Sequence, residues 1–284
     1  MPAVAPRRVV PLRRPGLWLS SAVVVALAGA LLVSVWNNPH IDHRAIGQFQ
    51  FAPAILAGLR VTVVLALLAA VIGAVLGVLL AVMRLSASPV LRLFSAGYTW
   101  LLRGTPLLVQ ILLWGNLALL FQHIGPFETN ALITPFVASV IALGLNEAAY
   151  MAEIVRAGIL SVDQGQVDAS LALGMSRGLA MRRILLPQAL RVIIPPTGNE
   201  VISMLKTSAL VSVIAYPELL YSAQLIYAVN FKQIPLLIVV CIWYLAITTL
   251  LSVGQAMLER RYGRGVVRRV RSERPMRLKL AVAR

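Results

Sequence analysis

The sequence predicts an all-α integral membrane bundle of about six spans, and three observations carry that prediction. The chain has 284 residues, 59% hydrophobic and only 13% charged, against roughly 25% charged for an average soluble domain. Six apolar runs (17–36, 54–83, 93–121, 132–155, 195–216 and 234–258) approach the length of about 20 residues that crosses the hydrocarbon layer. In lipid the backbone must satisfy its own polar groups, and these runs lack the alternation of barrel strands, so they are expected as helices. The third observation is the placement of the basic residues.

The net charge is +16. Arg7, Arg8, Arg13 and Arg14 precede the first run, and Arg84, Arg92 and Arg103 flank the turn between the second and third. Arg156, Arg177, Arg182, Arg183 and Arg191 lie in or beside a polar segment between the fourth and fifth, and an Arg-rich stretch follows Leu258. The opposite side of a six-span path holds only Arg44 and Lys232, with Arg60 and Lys206 inside spans. This positive-inside asymmetry predicts both termini and the polar segment in the cytoplasm. It accounts for the charge without nucleic acid.

In chain order, residues 1–50 form a basic Pro/Arg tail, a first helix and an outer loop. The run to Trp36 has the length of a span, and Val33-Ser34-Val35-Trp36 is a poor small-residue cleavage site, which favours an uncleaved helix over a signal peptide. His40, Asp42 and His43 lack a third ligand at a recognisable spacing and are expected as solvated loop residues, not a metal site. Residues 51–258 hold the remaining runs. Gly73 and Gly77 form a small-xxx-small pair suited to close helix packing. Gly104 and Pro106 interrupt the third run and predict a helix start or a broken turn, of the kind tolerated at membrane depth where it lines water or is buried in protein.

The fourth run places Asn146, Tyr150 and Glu153 on one helical face. The segment 165–191 reads as two short helical pieces broken at Gly174, with Asp168-Ala169-Ser170 opening the first and Ile184-Leu185-Leu186-Pro187 closing the second. The fifth run is expected to start at Pro195-Pro196 and to carry Asn199, Ser203 and Lys206 on one face, with Glu200 and Thr207 beside it. Polar side chains inside a span normally face the bundle interior or water, which makes Asn146, Tyr150, Asn199, Ser203 and Lys206 the candidates for a solute path. For Glu200 and Arg191 the competing assignment is snorkelling to the inner boundary. Residues 217–227 read as an interfacial helix with Leu220, Ala223 and Tyr227 on its apolar face. Residues 259–284 read as a basic cytoplasmic tail drawn to anionic membrane lipids. The lone cysteine, Cys241, has no disulfide partner and is expected as an apolar filler.

The spacing Asp168-Ala169-Ser170, Gly174, Ile184, Leu186-Pro187 resembles the EAA loop of ABC-importer membrane subunits, with Asp168 and Ser170 standing where that family has Glu and Ala. Residues 101–110, 149–159, 165–166, 186–191 and 199–208 are similar to the polar amino acid branch of type I ABC permeases. Ala157-Gly158 replaces a common Gly pair, and Lys206-Thr207-Ser208 lacks an acidic residue usual at that turn. The resemblance implies a five-span transmembrane core with 17–36 as an N-terminal addition. It implies that Asp168, Ala169, Ser170, Gly174, Ile184, Leu186 and Pro187 couple the chain to a separate ATPase, with Asp168 at the head of the first helical piece and Pro187 stopping the second. A second permease subunit and an extracytoplasmic solute-binding protein are implied as partners in a bacterial inner membrane, and ATP and Mg would be bound on the ATPase.

No P-loop, zinc-protease motif or nucleophile–base pair occurs, so no catalytic residue, cofactor or metal is assigned. The alternative, a stand-alone secondary transporter, predicts internal repeats and paired interrupted helices that are not found. Opines, basic amino acids, acidic amino acids and glutamine all remain open as cargo.

Overall fold

A computed structural model describes residues 15–39 and 41–262. Helix α1 is Pro15–Trp36, and α2, His43–Phe49, follows a short connection. The longest helix is α3, Pro53–Leu85, opened by a proline whose missing N–H is harmless in a first turn. The run predicted at 93–121 is not one helix: α4 spans Pro89–Gly104 and α5 spans Leu107–Gly115. Their break falls at Thr105-Pro106, as the Gly-Thr-Pro sequence requires. A β-hairpin of β1, His123–Ile124, and β2, Phe127–Glu128, and the single turn α6, Thr129–Leu132, precede α7, Pro135–Leu160.

A small helix, α8 (Gln164–Ala172), is followed by α9 (Arg177–Ala180), a π-turn at Met181–Leu185, and α10 (Leu186–Thr207). A 3₁₀ segment, Ser208–Ile214, leads to α11, Leu219–Asn230, and α12, Gln233–Tyr262. By length and composition α3, α7 and α12 are each able to cross a membrane. The path from Arg177 through Ile214 and on through α11 is bent by 45° and has the apolar length of a fourth crossing taken as one broken unit, or of a re-entrant loop. The basic tail predicted at 259–284 lies beyond the described residues from position 263 onward, as do residues 1–14 and His40.

The fold is built on α3 against α7. A methyl group at Gly73 would collide with Glu147 Cγ, and one at Gly77 with Met151 Cβ, so only glycine lets the two backbones approach this closely. Around that contact Leu65 and Ala69 of α3, Ile111 of α5, Leu143 of α7 and Leu205 of α10 form the central apolar cluster.

Two expectations for the second half are corrected. Pro195 and Pro196 do not start a span but sit inside α10. Proline already has a helical φ, and nearby carbonyls gain side-chain donors: Thr197 Oγ1 donates to Ile193 O at 2.8 Å and Gln255 Nε2 to Pro195 O at 3.1 Å. The second concerns the apolar face expected at Leu220, Ala223 and Tyr227, of which only Ala223 is buried. In α11 Leu219, Ser222 and Ala223 are buried, and Leu219 and Ala223 pack with Ile55 of α3 and Leu236 and Val239 of α12.

A fully buried carboxylate explains the docking of α11. Glu218 accepts from the N–H groups of Leu220 (2.9 Å) and Tyr221 (2.7 Å), from Tyr244 OH (3.2 Å), and at 3.5 Å from Thr62 Oγ1. Thr62 Oγ1 in turn accepts from Leu219 N–H at 3.0 Å. One side chain thus ties α3, α11 and α12 together. Glu218→Leu leaves these donors without an acceptor and should cost about 2–4 kcal/mol, read as a lower heat-denaturation midpoint in detergent. An unchanged midpoint would show that the network contributes nothing.

On the loop before α3, Asp42 caps α2 through Ala45 N–H (3.0 Å) and pairs with Lys232 Nζ at 2.8 Å. The Lys232 hydrogen bond holds the Asp42 carboxyl below its ordinary value of 3.8. A depressed carboxylate contributes stability above its unfolded pKa and loses it as pH falls through the native value. The tether therefore holds at neutral pH and in mild acid and releases only in strong acid. Asp42→Asn should speed tryptic cleavage after Arg44 at neutral pH; an unchanged rate would mean that the pair does not restrain α2.

Candidate functional site

The polar segment 165–191 folds into a compact bracket between α7 and α10. Its first helix begins earlier than the sequence suggests. Asp163 is the N-cap, its Oδ1 accepting from Gly165 N–H at 2.7 Å. Asp168 is therefore not at the head but in the fifth position of α8, exposed, with Gln164 Nε2 donating to its Oδ1 at 3.4 Å. Asp-Gln-Gly offers an N-cap five residues upstream, and the carboxylate nearest the free N–H groups takes that role. Ala169 is exposed, whereas Ser170 is buried and donates to Val167 O at 2.7 Å.

Gly174 ends α8 with φ +80°. Its N–H donates to Leu171 O at 2.9 Å and that of Met175 to Ser170 O at 3.1 Å. This pair of reversed bonds is the Schellman arrangement, with glycine at its left-handed position. Nothing lies within 4 Å of a Cβ placed there, so the requirement is conformational and not one of space. Ser176 then caps α9 through Leu179 N–H at 3.4 Å.

Pro187 does not stop the second piece, and Ile184-Leu185-Leu186-Pro187 do not close it. Pro187 sits in the first turn of α10, and the helix runs on to Thr207. Proline cannot donate to the carbonyl four residues back. The preceding turn is widened, with Leu186 N–H bonding Met181 O five residues back, a π-bulge. Ile184 is half-buried at this junction and Leu186 exposed, so the seven loop positions Asp168, Ala169, Ser170, Gly174, Ile184, Leu186 and Pro187 occupy one bracket. Its outer surface carries Leu171 and Leu173, the latter 83% exposed, an apolar surface without a partner among the described residues.

The second feature is polar and lies among the spans. The α4–α5 break leaves the carbonyls of Leu102 and Thr105 without their helical partners. Gln110 Nε2 donates to Leu102 O (2.9 Å), Thr105 O (3.2 Å) and Thr105 Oγ1 (2.8 Å). Asn146 Nδ2 donates to Leu102 O (2.9 Å) and Gln110 Oε1 (3.3 Å). Beside this repaired break lies a cavity of about 280 Å³ with Asn146, Glu147, Tyr150, Glu200, Ser203 and Thr207 in its wall, together with Leu107 and Met204. Arg103 lies over the Tyr150 ring, 5.0 Å from its centroid, and its charge acts on Glu200.

The cavity brings together Asn146, Tyr150 and Ser203 of the five predicted path residues. Asn199 and Lys206 do not line it. Both are exposed, and Asn199 Oδ1 accepts from Gln255 Nε2 of α12 at 3.0 Å. Glu153, on the Asn146 face, is taken by Arg156 through bonds of 3.0 and 2.8 Å. Sequence reasoning missed Glu147, which is 2% exposed, because it stands off the Asn146–Tyr150–Glu153 stripe. The available signal is a second ionisable residue directly beside a path candidate. Neither Glu147 nor Glu200 makes a hydrogen bond or ion pair among the described residues. No group of three or more metal-ligating side chains occurs among those residues either.

The family described as "Binding-protein-dependent transport system inner membrane component" matches residues 73–264. The arginine transport system permease protein ArgU of Corynebacterium glutamicum is 44% identical over 269 residues, 93% of this chain and 85% of that one. The L-cystine transport system permease protein TcyB of Bacillus subtilis is 38% identical over 222 residues, 78% of this chain and 92% of that one. A crystal structure of an amino acid ABC transporter with histidines superposes with a TM-score of 0.69 at 39% identity, covering 76% of this chain and 97% of that one.

Proposed function

This chain belongs to the family of binding-protein-dependent transport system inner membrane components, and from that premise we propose that it passes a cationic amino acid through the Glu147–Glu200 cavity. It is the multi-pass permease subunit of an amino acid ABC importer, not an enzyme; nucleotide hydrolysis belongs to a separate ATPase subunit. The observation that carries the cargo assignment is two carboxylates in one amino-acid-sized cavity, Glu147 and Glu200, neither hydrogen-bonded nor ion-paired among the described residues. Two like charges in a low-dielectric wall repel, and a guanidinium or ammonium group between them relieves that repulsion. To Arg103, over the ring of the lining residue Tyr150, we assign the cargo carboxylate. The name of the ArgU relative, an arginine transport permease, supports the same class. Asn199 and Lys206, on the exposed face of α10, extend the path toward a second permease copy.

The exposed bracket at 165–191 is the contact for the ATPase. Its Schellman turn and proline junction fix the angle between α8 and α10, so a push on Leu171 and Leu173 is delivered to the helix that carries Glu200 and Ser203. The ATPase supplies ATP and Mg chemistry, a solute-binding protein delivers the cargo on the far side, and both termini lie with the bracket in the cytoplasm.

Two measurements on the assembled transporter in proteoliposomes test this reading. Glu147→Gln removes one charged contact, and the loss should lower arginine uptake about tenfold or more, with ATPase activity retained. Undiminished arginine uptake would reject the cationic assignment. Gly174→Val forces a β-branched residue into left-handed backbone at a cost of about 1–2 kcal/mol. ATP hydrolysis should persist while uptake is lost, and normal uptake would reject the bracket as the coupling element.

A further inference from the structure

A second, larger cavity of about 890 Å³ lies between α3, α7, α10 and the end of α12. Its wall is almost wholly apolar, including Val82 of α3, Met151 of α7, Leu190, Ile194 and Val201 of α10, and Met181 of the π-turn. Several of these side chains are open to the outside, with Val82 59% and Leu190 40% exposed. The cavity therefore opens laterally.

Its position on α10 decides which surroundings it faces. With about 3.6 residues per turn, Leu186, Leu190, Ile194, Thr197 and Val201 form one stripe. Asn199, Ser203 and Lys206 fall on the opposite side of the same helix. Glu200 and Thr207, which line the polar cavity, stand about a quarter turn from the apolar stripe, so the two cavities lie on different faces of α10. At its loop end the wall changes character. Arg182 and Arg183 directly follow Met181, Arg84 directly precedes the wall residues Leu85 and Ser86, and none of the three is in an ion pair among the described residues. Arg84 is held at the α3–α4 turn by donating to Arg92 O at 3.2 Å, a contact that leaves its charge uncompensated. The carboxylate adjacent in sequence to a wall residue, Glu259 beside Leu258, accepts from Gln255 Nε2 at 2.8 Å.

An apolar cleft with arginines one or two residues along the chain from its wall, at its loop end, suits the chemistry of an anionic glycerophospholipid: acyl chains in the cleft, phosphate within reach of the arginines. We propose that this cavity holds one such lipid, from the leaflet that meets the 165–191 bracket. Because Met181 belongs to the π-turn that joins bracket to span, the bound lipid braces the junction through which the bracket moves α10.

The test uses the assembled transporter, purified in detergent with equal amounts of dioleoyl phosphatidylglycerol and dioleoyl phosphatidylcholine, and native mass spectrometry of the retained lipid. The wild type should retain phosphatidylglycerol in preference. Arg84→Gln with Arg182→Gln should cut that preference about thirtyfold, two basic contacts near a surface each contributing a comparable share. Val201→Trp, which fills the cleft and leaves the arginines, should expel both lipids; Leu190→Phe is the milder filler if the tryptophan variant does not assemble. Equal retention of the two lipids by the wild type would overturn the proposal. So would a cleft-filling variant that assembles and keeps its phosphatidylglycerol, or a disulfide forming between Leu190→Cys on two copies, which would make the cleft an interface between permeases.

Discussion

The bonds from Asn146 and Gln110 to the carbonyls of Leu102 and Thr105 are the constraint on which the polar interior depends. A helix broken inside a membrane leaves groups that lipid cannot satisfy. The Gly104–Pro106 break persists because two amide side chains, from α5 and α7, supply the missing donors. Those same bonds hold Asn146 against the break, and one residue on, Glu147 is pressed against Gly73. The carboxylate wall of the cavity follows from that packing: glycine on α3 admits α7, and α7 carries both the repair and the charge.

A similar economy governs the bracket. Gly174 and Pro187 act in opposite senses, the first allowing a reversal that other residues resist, the second removing a bond and widening the turn before α10. Between them they set the geometry of a small surface module that is joined to the bundle through α7 and α10. α10 runs unbroken through Pro195 and Pro196 from the module to Glu200, Ser203 and Thr207 in the cavity wall.

How much of this is legible in the sequence depends on the kind of signal. Runs of apolar residues announce the spans, and Gly104-Thr-Pro106 announces the break, because length and missing N–H groups are local properties. The turn at Gly174 is equally local. Pro195-Pro196 misleads, since a proline pair reads as a helix start when neighbouring donors such as Thr197 and Gln255 are out of view. Asp168 reads as the helix head although Asp163 sits closer to the free N–H groups, a competition that depends on where the chain leaves α7. Glu218 and Glu147 escape a reading of the sequence for a different reason. Their importance lies in partners far away in sequence, Thr62 and Tyr244 for the first and Gly73 for the second, and no periodicity within one helix reports such contacts.

The central claim is that an exposed bracket transmits force from a nucleotide-driven partner to the helix that lines the cavity. Its most direct test places a single cysteine at Leu173, in a Cys241→Ala background, and measures labelling by a membrane-impermeant thiol reagent in sealed vesicles of each orientation. The account predicts labelling only from the nucleotide side, and shielding once the ATPase is assembled. Labelling from the opposite side, or labelling undiminished by the ATPase, would contradict it.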